Sequence, residues 1–190
     1  MAFDRPHLFL SEKYLKIFIT FFSTLISSHS YATTYTVTNL AADDLTAGTL
    51  RWAIYQGNNN AGPNTITFST AGTLTLADAL PPIGANISTI NTAGNAIVIE
   101  GSTLNSGLFF LMTPNHPTCT INNTLGGSLT LQNTASIGGA AGILGVTGGG
   151  GGGLGAGGGI FVGESATVTI NGITLTGCSA QGGAGTAGFC

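Results

Sequence analysis

The sequence predicts an all-β chain assembled from short repeated strands, a β-solenoid, and three observations carry that expectation. First, Ala166–Gly177 (ATVTINGITLTG) sets Val168 and Ile170, then Ile173 and Leu175, at alternate positions on either side of Asn171-Gly172. Period-two alternation with β-branched residues fits a pleated, half-buried strand, and the Asn-Gly pair bends it into two short ones. Second, the stretch beginning at Cys119, CTINNTLGGSLTLQNTASIGGA, is a degenerate earlier copy: Thr-Ile-Asn, a kink, a strand ending in Leu131 as the later one ends in Leu175, then small residues. Self-similar short strands with Asn/Gly corners are the pattern of stacked repeats. Third, further alternating stretches follow at short intervals, separated by Pro, Asn and Gly turn chemistry.

Taken in order, the chain opens on residues that read as an export signal. Lys13 and Lys16 precede the apolar run Ile17–Ile26, and Ser30-Tyr31-Ala32 closes the segment. A basic region, a short apolar core and an A-x-A-like site make residues 1–32 a signal peptide cleaved after Ala32. The run is too short for a membrane span, which needs about 20 apolar residues. Tyr35–Asn39 is then the first strand. Thr49 caps a short helix whose Leu50, Ala53 and Ile54 share one face, with Gly57 and Asn58-Asn59-Asn60 ending it and Pro63 forbidding its continuation. Strand resumes at Thr65–Phe68. Residues 33–64 are therefore expected to be a strand-helix cap over the raw edge and open core of the first coil. Trp52 packs at the rim of that lid, and Arg51 pairs with Asp43 or Asp44.

Residues 65–190 supply the coils. Strands are expected at Gly72–Leu76, Ile87–Ile90, Ala96–Glu100, Leu108–Met112, Thr118–Asn122 and Gly127–Leu131, with turns at Pro81-Pro82, Asn91 to Asn95, Gly101-Ser102 and Pro114-Asn115. With coils of roughly 20 residues, this region holds about five or six of them. Asn122 and Asn171 are corner residues that tolerate the left-handed conformation and ladder with their equivalents. In Gly138–Gly159, fourteen of twenty-two residues are glycine, a run too permissive to pack a core, so it is expected to loop out. The chain stops at Cys190, where another coil is due, which reads as a fragment or a truncated frame.

Charge narrows the partners. From Thr33 on there is one basic residue, Arg51, against Asp43, Asp44, Asp78, Glu100 and Glu164. Nucleic acid and anionic membranes demand basic clusters, so neither is expected as a partner. Cys119, Cys178 and Cys190 lack CxxC spacing, which leaves zinc unsupported; Cys119 and Cys178 read as small buried hydrophobes. Gly153-x-Gly155-x-x-Gly158 matches a dinucleotide fingerprint only formally, since it lies in polyglycine and precedes a strand. No Lys follows the glycines as a phosphate loop requires, and the run lacks the Asp of a calcium repeat.

The run Ala47-Gly48-Thr49-Leu50-Arg51-Trp52-Ala53-Ile54, followed by Gly62-Pro63-Asn64-Thr65-Ile66-Thr67-Phe68, resembles the "GSLRxAI … G-x-DTITF" opening of bacterial right-handed parallel β-helix surface proteins. These include autotransporter passengers and polymorphic outer-membrane-protein-like proteins. Gly157–Val162 is similar to their GGAI-like segment and Ala166–Ala180 to their repeat coil, although the FxxN element of the polymorphic proteins is missing after Gly159. The resemblance implies a right-handed, pectin-lyase-like β-helix at the cell surface, in the outer membrane or outside the cell. It also implies a translocator barrel or anchor in a longer product, and host-surface or glycan ligands.

β-Helices of this kind also include polysaccharide lyases and hydrolases, whose chemistry needs paired carboxylates or carboxylate-bound calcium beside a base. The coils offer only Asp78, Glu100 and Glu164, far apart in sequence, and His116 between two prolines reads as a turn residue. The expectation is therefore a non-catalytic, adhesin-like stalk with no catalytic, cofactor-binding or metal-ligating residue. The alternative is a carbohydrate-active enzyme whose catalytic coils lie beyond residue 190.

Overall fold

Alternation of apolar and polar residues becomes a set of parallel sheets in the computed structural model, which describes residues 31–101, 109–111, 117–137 and 157–184. The expected leader within residues 1–30, His116, Cys190 and most of the glycine-rich run lie outside the described residues. The elements in chain order are β1 (Thr34–Val37), α1 (Leu50–Asn59), β2 (Asn64–Phe68), β3 (Gly72–Thr75), β4 (Ile87–Asn91), β5 (Ala96–Glu100), β6 (Phe109–Leu111) and β7 (Thr118–Asn122). There follow β8 (Ser128–Gln132), β9 (Ala135–Ile137), β10 (Ile160–Val162), β11 (Thr167–Asn171), β12 (Ile173–Thr176) and β13 (Ser179–Gln181). The protein is mostly β with one helix among the described residues.

The sheets draw on strands that lie far apart in the chain. The first sheet runs β1-β2-β4-β7-β11, the second β3-β5-β8-β12, and the pairs β6-β10 and β9-β13 complete the set. Every described pairing is parallel. The register puts like residues in line: Tyr35, Ile66, Ile90, Ile121 and Ile170 in the first sheet, and Leu74, Ile99, Leu131 and Leu175 in the second. Their inward side chains form the core, where Ile66, Ile99, Ile121 and Leu131 are fully buried. Burial of each such side chain stabilises by about 2 kcal/mol. A bulge between Asn64/Thr65 and their partners corrects the register, so that Ile87 and Ile90 both face inward.

The two ends of the stack differ. On β1, Tyr35 and Val37 are buried, whereas on the last pass Ile170 and Leu175 stand 45% and 53% exposed. The helix explains the covered end. Thr49 is its N-cap as expected, its hydroxyl oxygen accepting from Trp52 N at 3.2 Å, and Leu50, Ala53 and Ile54 are buried against β1, β2 and β4. Trp52 meets the Tyr35 ring edge-on, centroids 5.8 Å apart. The helix ends within the expected Asn58-Asn59-Asn60 run, at Asn59 with Asn60 as C-cap, although Gly57 itself lies inside it. A Cβ at Gly57 would lie 2.8 Å from Ile87 Cγ1, so glycine there permits close packing of helix on strand.

The stop comes from Asn64, which is completely buried. Its Nδ2 donates to the carbonyls of Gly57 and Asn60, both at 2.9 Å, and its Oδ1 accepts from Thr33 N at 3.1 Å. One amide thus satisfies two orphan helix carbonyls and holds the chain entering β1.

The spacing of the strands and the conformation of their corners differ from expectation. From residue 64 onward the first sheet gains four strands among the described residues. The step from Thr65 to Thr89 is close to the ~20-residue period, but the steps to Thr120 and Thr169 are successively longer. Asn122 and Asn171 do line up in register with Asn91, yet the left-handed conformation falls elsewhere: at Ala93, Leu125, Asn133 and Ser165, and at glycines including Gly172. Corners after the first-sheet strands repeat as tight turns, Thr92–Asn95 and Thr124–Gly127, each closed by a backbone bond of 3.0 or 3.1 Å.

In the second turn Leu125 has φ +56° and is 88% exposed, so it carries left-handed strain with no burial to offset it. Leu125→Asn is expected to stabilise the protein by about 1 kcal/mol, since Asn suits the first central position of a turn with two positive φ values. Thermal unfolding would report this as a rise of a few degrees.

Candidate functional site

Charged groups are few, and the structure uses most of them to hold the fold. Arg51 Nε donates to Asp43 Oδ1 at 2.9 Å and its Nη2 to Asp43 Oδ2 at 2.8 Å, so Asp43 rather than Asp44 is the partner. Arg51 also donates to the carbonyls of Ala79 and Asp78, both at 2.7 Å, while Asp43 Oδ2 accepts from Ala77 N at 2.8 Å. The bidentate pair is a clasp joining the segment before α1, the helix and the loop after β3. Asp44 closes a local turn by accepting from Thr46 N. Glu100 Oε1 accepts from Gln132 Nε2 at 3.3 Å and Asn133 Nδ2 at 2.8 Å, both one pass along the stack. Glu164 is exposed. The described carboxylates are thus dispersed, and among the described residues no group of three His, Cys, Asp or Glu side chains converges to hold a metal.

Gly158, from the formal glycine fingerprint, is buried in the stack; its carbonyl accepts from Thr134 Oγ1, and a Cβ there would run into Ser179 O. That glycine serves close packing. Cys119 faces the core beside Ile121, as expected. Cys178 is half-buried, its Sγ 3.4 Å from Thr134 Oγ1, and both thiols are free. Burial pushes the Cys119 thiol up from 9.0 to about 12. In the native protein a neutral-pH thiol reagent is expected to label Cys178 and leave Cys119 unmodified until denaturant is added. The same shift makes the unfolded chain the weaker proton binder, so this group's contribution to stability falls as pH rises from 9.0 towards 12. A denaturation series at pH 8 to 11 measures it.

The outward face of the first sheet carries the feature that the strand-by-strand reading passed over. Thr34, Thr65, Thr89, Thr120 and Thr169 are consecutive register partners, one from each strand. A second row two residues along comprises Thr36, Thr67, Asn91, Asn122 and Asn171. Adjacent strands set the rungs about 4.8 Å apart, and the rows lie about 6.6 Å apart along each strand. These positions alternate with the buried apolar ones and contain no charge. The hydroxyls of the five first-row threonines make no hydrogen bond among the described residues. By contrast, Thr49, Thr124 and Thr134 all spend theirs on protein acceptors. The signal in the sequence is Thr-x-Thr at residues 34–36, 65–67, 118–120 and 167–169.

Comparison with protein-family models, curated proteins and solved structures returns no match. No helix among the described residues is long and apolar enough to cross a membrane.

Proposed function

We propose that the chain is part of a right-handed parallel β-helix, exported behind residues 1–32, that serves as the non-catalytic stalk of a bacterial surface or secreted adhesin-like protein. The observation that carries this reading is the register of the first sheet, where each pass adds one parallel strand with its apolar residue in line with the last. Parallel strands joined by crossovers within one sheet turn right-handed almost without exception, which supports the handedness. The α1 segment acts as the cap of the first coil, and the Arg51–Asp43 clasp fastens it. A stalk of this kind works by presentation: backbone ladders give stiffness, and segments between the strands, the glycine-rich sequence among them, meet host surfaces or glycans. In a longer product, a barrel or anchor would tether it.

Export is tested by expressing the tagged chain in a Gram-negative host and determining the N-terminus and location of the product. The expected product begins at Thr33 and is recovered from the cell surface, outer membrane or medium. A cytosolic product that keeps residues 1–32 would overturn the reading.

A further inference from the structure

We infer that the outward face of the first sheet is an ice-binding surface, with the threonine column Thr34–Thr65–Thr89–Thr120–Thr169 as its centre. A stack of register-matched strands is a ruler: it repeats one side chain at a fixed interval of about 4.8 Å. A ligand that reads such a ruler must itself repeat, and oxygen rows on a growing ice face have a spacing close to this one. The bulge beside Asn64 matters here, because it brings Thr89, and not Ser88, opposite Thr65 and keeps the column unbroken.

Each rung offers a hydroxyl with no protein partner beside a methyl group. Such a surface orders first-shell water through hydrogen bonds while the methyls restrict the positions that water can take. The rest of the molecule shows that this is a property of the face. The Asp43–Arg51 pair lies in the clasp and Glu100 sits on the second sheet, whose matching outer positions run Thr73, Val98, Thr130 and Thr174. An uncharged lattice is best met by an uncharged face, since a charge pressed against it loses hydration without gaining a partner. A crystalline polysaccharide has a repeat too, but its flat sugar rings call for aromatic platforms, and the aromatics of the first sheet, Tyr35 and Phe68, point into the core.

The inference rests on the register and the side-chain chemistry, and stands whether or not the chain is exported. The test is inhibition of ice recrystallisation by the full chain, with Thr89→Lys and Thr120→Lys on the proposed face and Thr130→Lys on the second sheet. Circular dichroism and unfolding midpoints verify that all are folded. The unaltered chain and T130K are expected to keep ice grains small at the same concentration. T89K and T120K should need roughly tenfold more protein or worse, because the ammonium must be desolvated. An unaltered chain no better than an inert protein overturns the proposal, as does full activity in T120K or equal loss in T130K. Retention on crystalline cellulose without any effect on ice also overturns it.

Discussion

Asn64→Leu is expected to lower the unfolding free energy by about 3 kcal/mol, because it strands one buried and two part-buried backbone groups at once. Leucine fills nearly the same volume, so the loss reads polar satisfaction and not a cavity. The carbonyls of Gly57 and Asn60 lose their donor, and Thr33 N loses its acceptor. The carbonyl of Gly57 is buried and cannot turn to water while the site stays closed, whereas Thr33 and Asn60 lie nearer the surface. Asn59→Leu is the control: its Nδ2 bonds only Tyr55 O, on an exposed part of the helix, and its loss should fall within ~0.5 kcal/mol. Urea unfolding of both variants decides. Equal midpoints for the two would refute the account of how α1 ends.

Arg51→Met should destabilise by about 3 kcal/mol, the range for removing one partner of a buried ion pair. The Asp43 side chain is only 4% exposed and would be left without its bidentate guanidinium partner. The double variant R51M/D43N removes that stranded carboxyl group, so it should be more stable than R51M alone, a non-additivity that a double-mutant cycle measures. Because the pair is shielded from solvent, salt should change the R51M penalty little. A penalty that vanishes in high salt would place the clasp at the surface and falsify its role in holding the loop after β3.

Where sequence alone was sufficient, the cause was local. Thr49 caps its helix through a bond to Trp52 three residues on, and Leu50, Ala53 and Ile54 share a face by helical geometry; both are visible in a short window. The inward rows of isoleucine and leucine follow from period-two alternation, and the bend at Asn171-Gly172 from turn chemistry. The Asn58-Asn59-Asn60 run marked the helix end, but the role of Gly57 did not show, because its reason is Ile87, a contact made only after the strands assemble. Asn64 as helix terminator was hidden likewise, since its partners arrive from Thr33, Gly57 and Asn60 together. The uneven spacing of the strands was hidden because register constrains strands, not the lengths of the segments between them. The threonine column was the hardest to see. Thr-x-Thr in one strand is ordinary β-propensity, and a column exists only between strands, once each has found its neighbour.

The uneven steps between strands have a consequence for how this chain can change. The segments from Leu111 to Thr118 and from Ile137 to Ile160 differ greatly in length, yet β4, β7 and β11 keep Thr89, Thr120 and Thr169 in line. In general, each doubling of the length of a closed loop adds only about 0.6 kcal/mol of closure entropy. Register can therefore survive a change in segment length, and the ladder goes on aligning the same side chains. An insertion between Ile137 and Gly157 is accordingly expected to leave β11 paired with β7.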